Sequence, residues 1–259
     1  MVGIDSLKRK IITTVITVFL ALFTHHSFAK SSQDITGYLG ITEIYAPKFS
    51  GSDSYKFLTL PASSIKYGAL NIGSHRGISY DLLDQNDFKA GIVAGYFFGR
   101  EESDADYLDG MGDIDDALTL GAYAEQKFKY FKLSSQVKRD FSADVGGTTA
   151  DLSTSFSFML STRLLMTPSV KVTWMDDRYA QGIYGVTETQ ANNSSLAETN
   201  ASGGIEKVSL SSTAVFFITR EIAFSTTLGV SRLLGDAKSS PITRASYPLL
   251  VIGSLSYNF

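Results

Sequence analysis

From Ile35 to the C-terminus, the chain repeats one unit: apolar and polar residues alternate over about eight to twelve positions, and a turn or polar loop follows. A period of two places successive side chains on opposite faces of a β-strand. The last such segment sets on one face Tyr247, Leu249, Val251, Leu255, Tyr257 and Phe259. The pattern therefore predicts an all-β protein built from antiparallel hairpins.

The environment of this sheet is indicated by its polar residues and its aromatic residues. Alternation alone would also suit a soluble β-sandwich. Here, however, the polar positions are rich in lysines and hydroxyls, which suit a wet interior. Aromatic residues also collect near strand ends, as interfacial girdles do: Tyr96–Phe98, Tyr130–Phe131, Phe216–Phe217, Tyr257 and Phe259. Since a sheet can cross hydrocarbon only when it is closed, we predict an antiparallel transmembrane β-barrel.

The number of strands follows from their direction, because the C-terminal strand should end in the periplasm. The short turns then fall on the periplasmic side, at 83–87, 128–130, 162–167 and 218–221. The longer connections fall outside, at 47–55, 100–115, 143–150, 177–204 and 235–245. Twelve strands result if 69–82 forms two short strands around His75. Ten strands is the alternative, since a tilted spanning strand normally needs about nine to eleven residues.

The N-terminus has the layout of a secretory signal peptide. Lys8, Arg9 and Lys10 precede the apolar run Ile11–Phe23, and small residues at Ser27 and Ala29 define a cleavage site. A membrane-anchoring helix is the alternative, but the run is shorter than the roughly 20 apolar residues that a spanning helix needs. We predict a signal peptide at 1–29 and one outer-membrane β-barrel domain at 30–259.

Composition and charge narrow the choice of partners. The chain has 17 Phe and 13 Tyr but a mean hydropathy of only +0.04, so its apolar residues are spread thinly. It has no cysteine, which favours a fold stabilised by means other than disulfides. The net charge is −3 and the basic residues form no stripe along the sequence, which argues against nucleic acid as a partner.

Several motifs now identify a family. Gly51–Tyr55 follows Ala46-Pro47, Tyr184–Thr187 reads Tyr-Gly-Val-Thr, and Ser231–Ala237 reads Ser-Arg-Leu-Leu-Gly-Asp-Ala shortly before Ser-Pro-Ile at 240–242. Over essentially the whole mature chain, the sequence resembles the MipA/OmpV family of outer-membrane proteins. Ile183-Tyr184 stands where that family would have Tyr-Phe.

The resemblance implies a non-enzymatic scaffold in the bacterial outer membrane. Such a protein would hold a murein-cleaving lytic transglycosylase near a murein synthase, and as an outer-membrane barrel it would contact lipid and lipopolysaccharide. We expect the periplasmic rim, or the segment Lys30–Asp34, to meet these enzymes. We assign no catalytic residue, cofactor or metal ligand.

Two other functions stay open. Charged residues on the inward positions would either line a permeation path or pair across a filled interior, and no long constriction loop is evident: Glu125, Lys127, Lys132, Lys138 and Lys171. A surface hydrolase would have to use His75, with Ser74, Ser79 or Asp81 nearby. We favour an exposed turn histidine instead.

Two loop motifs resemble functional sites. Glu101–Asp116 contains eight acidic residues, and hard cations such as Ca²⁺ prefer carboxylate ligands. The spacing misses the EF-hand pattern, so we favour a solvated external loop. Phe49–Asp53 resembles a nucleophile motif, but no helix is predicted after it, so we interpret it as a turn.

Overall fold

The computed structural model describes residues 35–74, 76–142 and 144–259. The predicted signal peptide at 1–29, the segment Lys30–Asp34 and His75 lie outside the described residues.

Twelve antiparallel strands form a closed barrel, as the sequence predicts. Each strand pairs with its neighbours in sequence, and the last pairs with the first from Tyr38↔Asn258 to Tyr45↔Val251. The strands are β1 (Thr36–Pro47), β2 (Tyr55–Tyr67), β3 (Leu70–Gly73), β4 (Gly77–Gln85), β5 (Phe88–Phe97), β6 (Ala117–Lys127), β7 (Lys132–Asp140), β8 (Thr148–Ser155 and Phe158–Ser161), β9 (Leu164–Met175), β10 (Gly204–Phe217), β11 (Ile222–Leu233) and β12 (Leu249–Asn258).

The segment that decides between ten and twelve strands forms the short hairpin β3–β4. Because β3 has only four residues, β2 pairs with it only from Ser64 to Tyr67, whereas β2 pairs with β1 from Tyr55 to Lys66. The next backbone bond on this edge runs from Ser74 N to Ser63 O, at 2.9 Å. Pro61 lies further along the same unpaired edge. A proline suits this position because it has no backbone N–H that would need a partner. The sheet therefore extends less far along the barrel axis at β3 than at the neighbouring β2.

Two predicted turns are shorter than expected. The 162–167 turn contains only Thr162 and Arg163, because β9 begins at Leu164 and continues through Pro168. Pro168 accepts a hydrogen bond from Phe156 N at 3.0 Å but has no N–H to return, and β8 is interrupted at this point. The 83–87 turn contains only the two residues after Gln85, both with positive φ, of 50° and 64°.

The two faces of the sheet differ as the alternation predicts. On β11, Leu228 and Val230 are exposed on the outer face. Their neighbours point inward, where hydroxyls bond across adjacent strands: Thr213 with Thr227 at 2.7 Å, Ser209 with Ser231 at 2.8 Å, and Ser169 with Ser211 at 2.8 Å. The barrel is thus apolar outside and polar inside.

The two ends of the barrel also differ. One end, the turn end, carries the tight turns and both ends of the strand series. At the other, the loop end, four long connections fold together, and we call them the lid: 48–54, 98–116, 176–203 and 234–248. The lid contains α1 (Asp177–Tyr184), α2 (Glu188–Asn193), α3 (Gly235–Ser239) and 3₁₀ turns at Glu102–Asp104 and Asp106–Leu108. The sequence predicts only turns and polar loops at these connections, so the helices are not anticipated by it.

The main buried apolar core lies in the lid. Leu108 and Met111 of the 98–116 connection pack with Val186, Leu196 and Ile242 from two other connections. A second cluster joins Ala180 and Tyr184 of α1 to Ala237 of α3. In the described part of the chain, none of the helices is long and apolar enough to cross a membrane.

The two faces of β11 allow a direct test. Leu228→Lys would place a charge at the middle of the outer face, and we expect it to lower the free energy of unfolding by about 2–4 kcal/mol. Thr227→Lys places the same charge in the polar interior and should cause a smaller loss. Urea unfolding in lipid vesicles measures both. Equal losses would contradict the assignment of the faces.

Candidate functional site

The helix α1 begins where β9 leaves the barrel. Asp176 caps it, accepting hydrogen bonds from Tyr179 N at 2.8 Å and Thr148 N at 2.9 Å. Burial acts to raise the pKa of Asp176, but these amide hydrogens hold it below its usual value. Tyr179, Ala180, Ile183 and Tyr184 lie on one face of the helix, which is the face that packs against the barrel and the lid.

One side of α1 is attached to β5 and to the β7–β8 connection. The Tyr179 ring packs edge-on against Phe97 at the end of β5, with centroids 6.3 Å apart. Burial, followed by the nearby acids Glu206, Asp140 and Asp151, raises the pKa of Tyr179. Arg178 Nε donates to Val145 O at 3.1 Å.

The other side of α1 is attached to β10 and to the β11–β12 connection. The Tyr184 hydroxyl donates to Glu206 Oε1 on β10 at 2.7 Å. Ser240 Oγ donates to Tyr184 O at 2.6 Å. Since β5 and β10 stand on nearly opposite sides of a twelve-stranded ring, α1 crosses the mouth of the barrel.

Tyr184 and Glu206 belong to a buried polar cluster. Ser50 Oγ lies 2.7 Å from the Tyr184 hydroxyl oxygen and donates to Glu206 at 3.3 Å, and Lys207 Nζ forms an ion pair with Glu206 at 3.0 Å. Burial, and then the charge of Glu206, raises the pKa of Tyr184 well above its usual value, so this phenol stays protonated. The cluster ties the lid to the barrel wall.

A chamber of about 320 Å³ lies beside this cluster. Its walls include the apolar residues Phe49, Phe97, Pro248 and Leu250, together with Arg100 and Lys207. Arg100 is 5 % exposed, and no carboxylate of the described residues lies within ion-pair distance of it. Its Nη1 donates to Ile183 O at 3.3 Å, and its Nε has no partner. Burial lowers the pKa of Arg100, but a guanidinium remains protonated in proteins.

The acidic connection uses its carboxylates to hold its own backbone. Glu102 accepts hydrogen bonds from Gly110 N at 2.9 Å and Gly112 N at 2.8 Å, which lower its pKa. Asp113 accepts from Glu102 N at 2.7 Å, and Asp116 accepts from Gly99 N at 2.8 Å. Within 35–74, 76–142 and 144–259, no three acidic or histidine side chains converge in a metal-binding arrangement.

The residues proposed for a hydrolase are only partly described, because His75 is outside the described residues. Ser79 and Asp81 are buried on the inner face of β4. Asp81 accepts hydrogen bonds from the Tyr123 hydroxyl and, at 3.2 Å, from Asn71 Nδ2. These contacts hold the carboxylate against the wall.

The motif at 49–53 is a turn followed by a strand, as predicted. The sequence gives no signal that Ser50 in this turn forms hydrogen bonds with Tyr184 and Glu206.

The inward lysines predicted from alternation differ in their surroundings. Lys132 forms an ion pair with Glu125 at 3.3 Å, and Arg76 contacts the same carboxylate. Lys171 is exposed, although the register places it on the inner face. Because an exposed inward side chain requires solvent-accessible space around it, the barrel interior below the lid is not filled at this position.

No constriction is evident from the sequence, which leaves the openness of the interior undecided, whereas the structure places α1 across the mouth. A signal for it exists: Asp176 and Asp177 are a start signal for a helix, and the next apolar residues recur at the spacing of one helical face. The helix is only eight residues long and interrupts a polar loop, which hid the pattern.

A closed antiparallel barrel with an apolar outer surface and a polar interior defines a transmembrane β-barrel protein. The family described as MltA-interacting protein MipA matches residues 39–259, and the chain belongs to this family. The resemblance found in the sequence is thereby confirmed, and the protein is located in the outer membrane.

Solved structures similar to this chain are distant in sequence. A bacterial polysaccharide outer membrane secretin is 10 % identical, with a TM-score of 0.45 over 89 % of this chain and 100 % of that chain. An outer membrane channel from Pseudomonas putida F1 is 8 % identical, with a TM-score of 0.41 over 90 % and 100 %. The outer membrane protein OprD from Pseudomonas aeruginosa is 12 % identical, with a TM-score of 0.36 over 86 % and 65 %. No curated protein matches the sequence.

The Tyr184 hydroxyl gives a test of how the lid is held. Tyr184→Phe would leave Glu206 with one fewer donor in a buried site, which should lower the free energy of unfolding by roughly 1–3 kcal/mol. We expect faster hydrogen exchange in α1. The exposed Tyr247, changed to Phe, is the matched control. Unchanged exchange in Tyr184→Phe would show that this bond does not hold the lid.

Proposed function

We propose that this protein is a non-enzymatic scaffold of the outer membrane that brings a murein-cleaving transglycosylase close to a murein synthase. Membership of the MipA family supports this role. The structural observation that favours it over a permanently open pore is α1, which crosses the mouth and is attached to opposite walls. The proposal assigns no catalytic residue, cofactor or metal to the chain.

The turn end is the side that we propose to face the periplasm, because short periplasmic turns and long external loops are usual in such barrels. The β6–β7 turn projects from this end. Its Phe128 and Phe131 rings stack with centroids 4.6 Å apart, and Lys129 lies 5.0 Å from the centroid of the Tyr130 ring. Tyr130 is 65 % exposed. Tyrosine is enriched at protein-binding surfaces, so an exposed tyrosine at this turn suits one.

The β6–β7 turn can be tested by capture of partners from solubilised envelopes. We expect the unchanged protein to recover both a murein transglycosylase and a murein synthase. Tyr130→Ser combined with Lys129→Ser should reduce recovery at least tenfold, because it removes the exposed aromatic ring and its cation.

The matched control is Glu198→Lys, an exposed substitution in the lid at the opposite end, which should leave recovery unchanged. Failure of the unchanged protein to recover either enzyme would refute the scaffold. If the turn variant recovers both enzymes as well as the unchanged protein does, the docking surface lies elsewhere on the protein.

The second candidate function is a solute channel that opens when the lid moves. The observation that favours it is the exposed, inward Lys171 among hydroxyl-bearing neighbours. In a planar bilayer, the scaffold proposal predicts no discrete conductance steps for the unchanged protein. Replacing 176–203 by a short Gly-Ser linker removes α1 and should produce steps if the interior is otherwise open.

Discrete steps from the unchanged protein would favour the channel over the scaffold. The linker variant should still migrate as a folded barrel on an unheated gel, since all twelve strands are retained. That mobility check separates an opened lid from a misfolded chain.

A further inference from the structure

We propose that the chamber beneath α1 is a binding site for a small amphiphilic anion, which places its headgroup on Arg100 and its alkyl chain against the apolar wall. This site goes beyond the scaffold role and does not depend on it.

Arg100 has fewer partners than a buried guanidinium needs. A guanidinium has five N–H donors, and the described contacts include one hydrogen bond from this group, to Ile183 O at 3.3 Å. The residue is 95 % buried and lines the chamber, and its Nε is buried without a hydrogen-bond partner. A buried charge is normally paired. A carboxylate or phosphate in the chamber would supply the negative charge that the guanidinium lacks.

The charges around the chamber do not balance. Lys207 is already neutralised by Glu206 at 3.0 Å, so this pair adds no net charge to the chamber. Lys48 also lines the chamber, and its Nζ donates to a backbone carbonyl, Asp104 O, at 2.8 Å. The Asp104 carboxylate acts on Arg100 electrostatically but is not within ion-pair distance. Two cations thus remain without a carboxylate partner in the described residues.

The rest of the chamber wall is largely apolar. Phe49 lies with its ring centroid 5.8 Å from the Arg100 guanidinium carbon, so the charge stands next to an aromatic surface. Further apolar surface is contributed by Pro47, Phe97, Ile114, Pro248 and Leu250. Free inorganic phosphate would leave this surface without a partner, whereas an alkyl chain would cover it.

The size of the chamber limits the ligand. Its volume of about 320 Å³ is at the low end of the range of about 300–1,000 Å³ for small-molecule sites. A short alkyl chain with one anionic headgroup fits such a volume, and a complete membrane lipid does not. Alkyl carboxylates and alkyl phosphates share this chemistry.

Isothermal titration calorimetry on the full chain in maltoside micelles tests the proposal. The probes are octanoate, octyl phosphate, octanol and inorganic phosphate. We expect one octanoate or octyl phosphate to bind per barrel, at least tenfold more tightly than octanol or inorganic phosphate. The tighter of the two alkyl anions identifies the headgroup.

Three variants locate the site. Arg100→Gln should weaken octanoate binding at least tenfold, and Arg232→Met should leave it unchanged, because Arg232 is an exposed arginine near an aromatic ring, Tyr247, at 5.9 Å. Leu250→Trp keeps Arg100 but extends a larger ring from the apolar wall into the chamber, so it should also weaken octanoate binding. This variant decides the question if Arg100→Gln does not fold.

Three results would overturn the proposal. Equal binding of octanol would mean that the charge does not matter, and equal binding of inorganic phosphate would mean that the apolar wall does not matter. Unchanged octanoate binding in Leu250→Trp would place the ligand outside the chamber. None of these results bears on the capture of murein enzymes, so the two proposals can fail separately.

Discussion

The pairing of the last strand with the first is the constraint on which the rest of the structure depends. In hydrocarbon, an unpaired backbone N–H or C=O has no water to bond with, so a sheet is tolerated only when it closes. Here β12 closes on β1 over eight register pairs, and Phe259 N donates to Gly37 O at 3.0 Å beyond the Tyr38↔Asn258 pair. Closure separates two environments, and each strand must therefore present an apolar face outward and a polar face inward.

This arrangement moves the apolar core of the protein away from the sheet. Inner faces carry hydroxyls and charges, and outer faces meet lipid, so neither supplies a buried core. Instead, the four lid connections provide one, with Leu108, Val186 and Ile242 each fully buried. The same folding of the lid places α1 across the mouth and leaves Arg100 enclosed. The covered mouth and the enclosed Arg100 thus both follow from where the apolar core forms.

Much of the barrel could be predicted from the sequence, because each strand alternates between two fixed environments. The count of twelve strands also followed, since strand direction must alternate and the short β3–β4 hairpin satisfies it. What could not be predicted depends on distant contacts. The interruption of β8 is caused by Pro168 on the neighbouring strand. The position of α1 requires partners on β5, β10 and four connections. That Arg100 has no carboxylate partner among the described residues is visible only when all of them are in place.

Because the chain has no cysteine, spin labels can be attached at single introduced cysteines to test which face of the sheet meets lipid. Single cysteines placed in turn at 224–230 of β11 can carry a spin label in lipid vesicles, and collision with oxygen or with a water-soluble nickel complex then reports the surroundings of each label. A closed barrel predicts alternation, with labels at Phe224, Leu228 and Val230 reached by oxygen in the lipid and labels at Ser225 and Thr227 reached by the nickel complex. Labels that show no alternation, or that neither reagent reaches on either face, would contradict it.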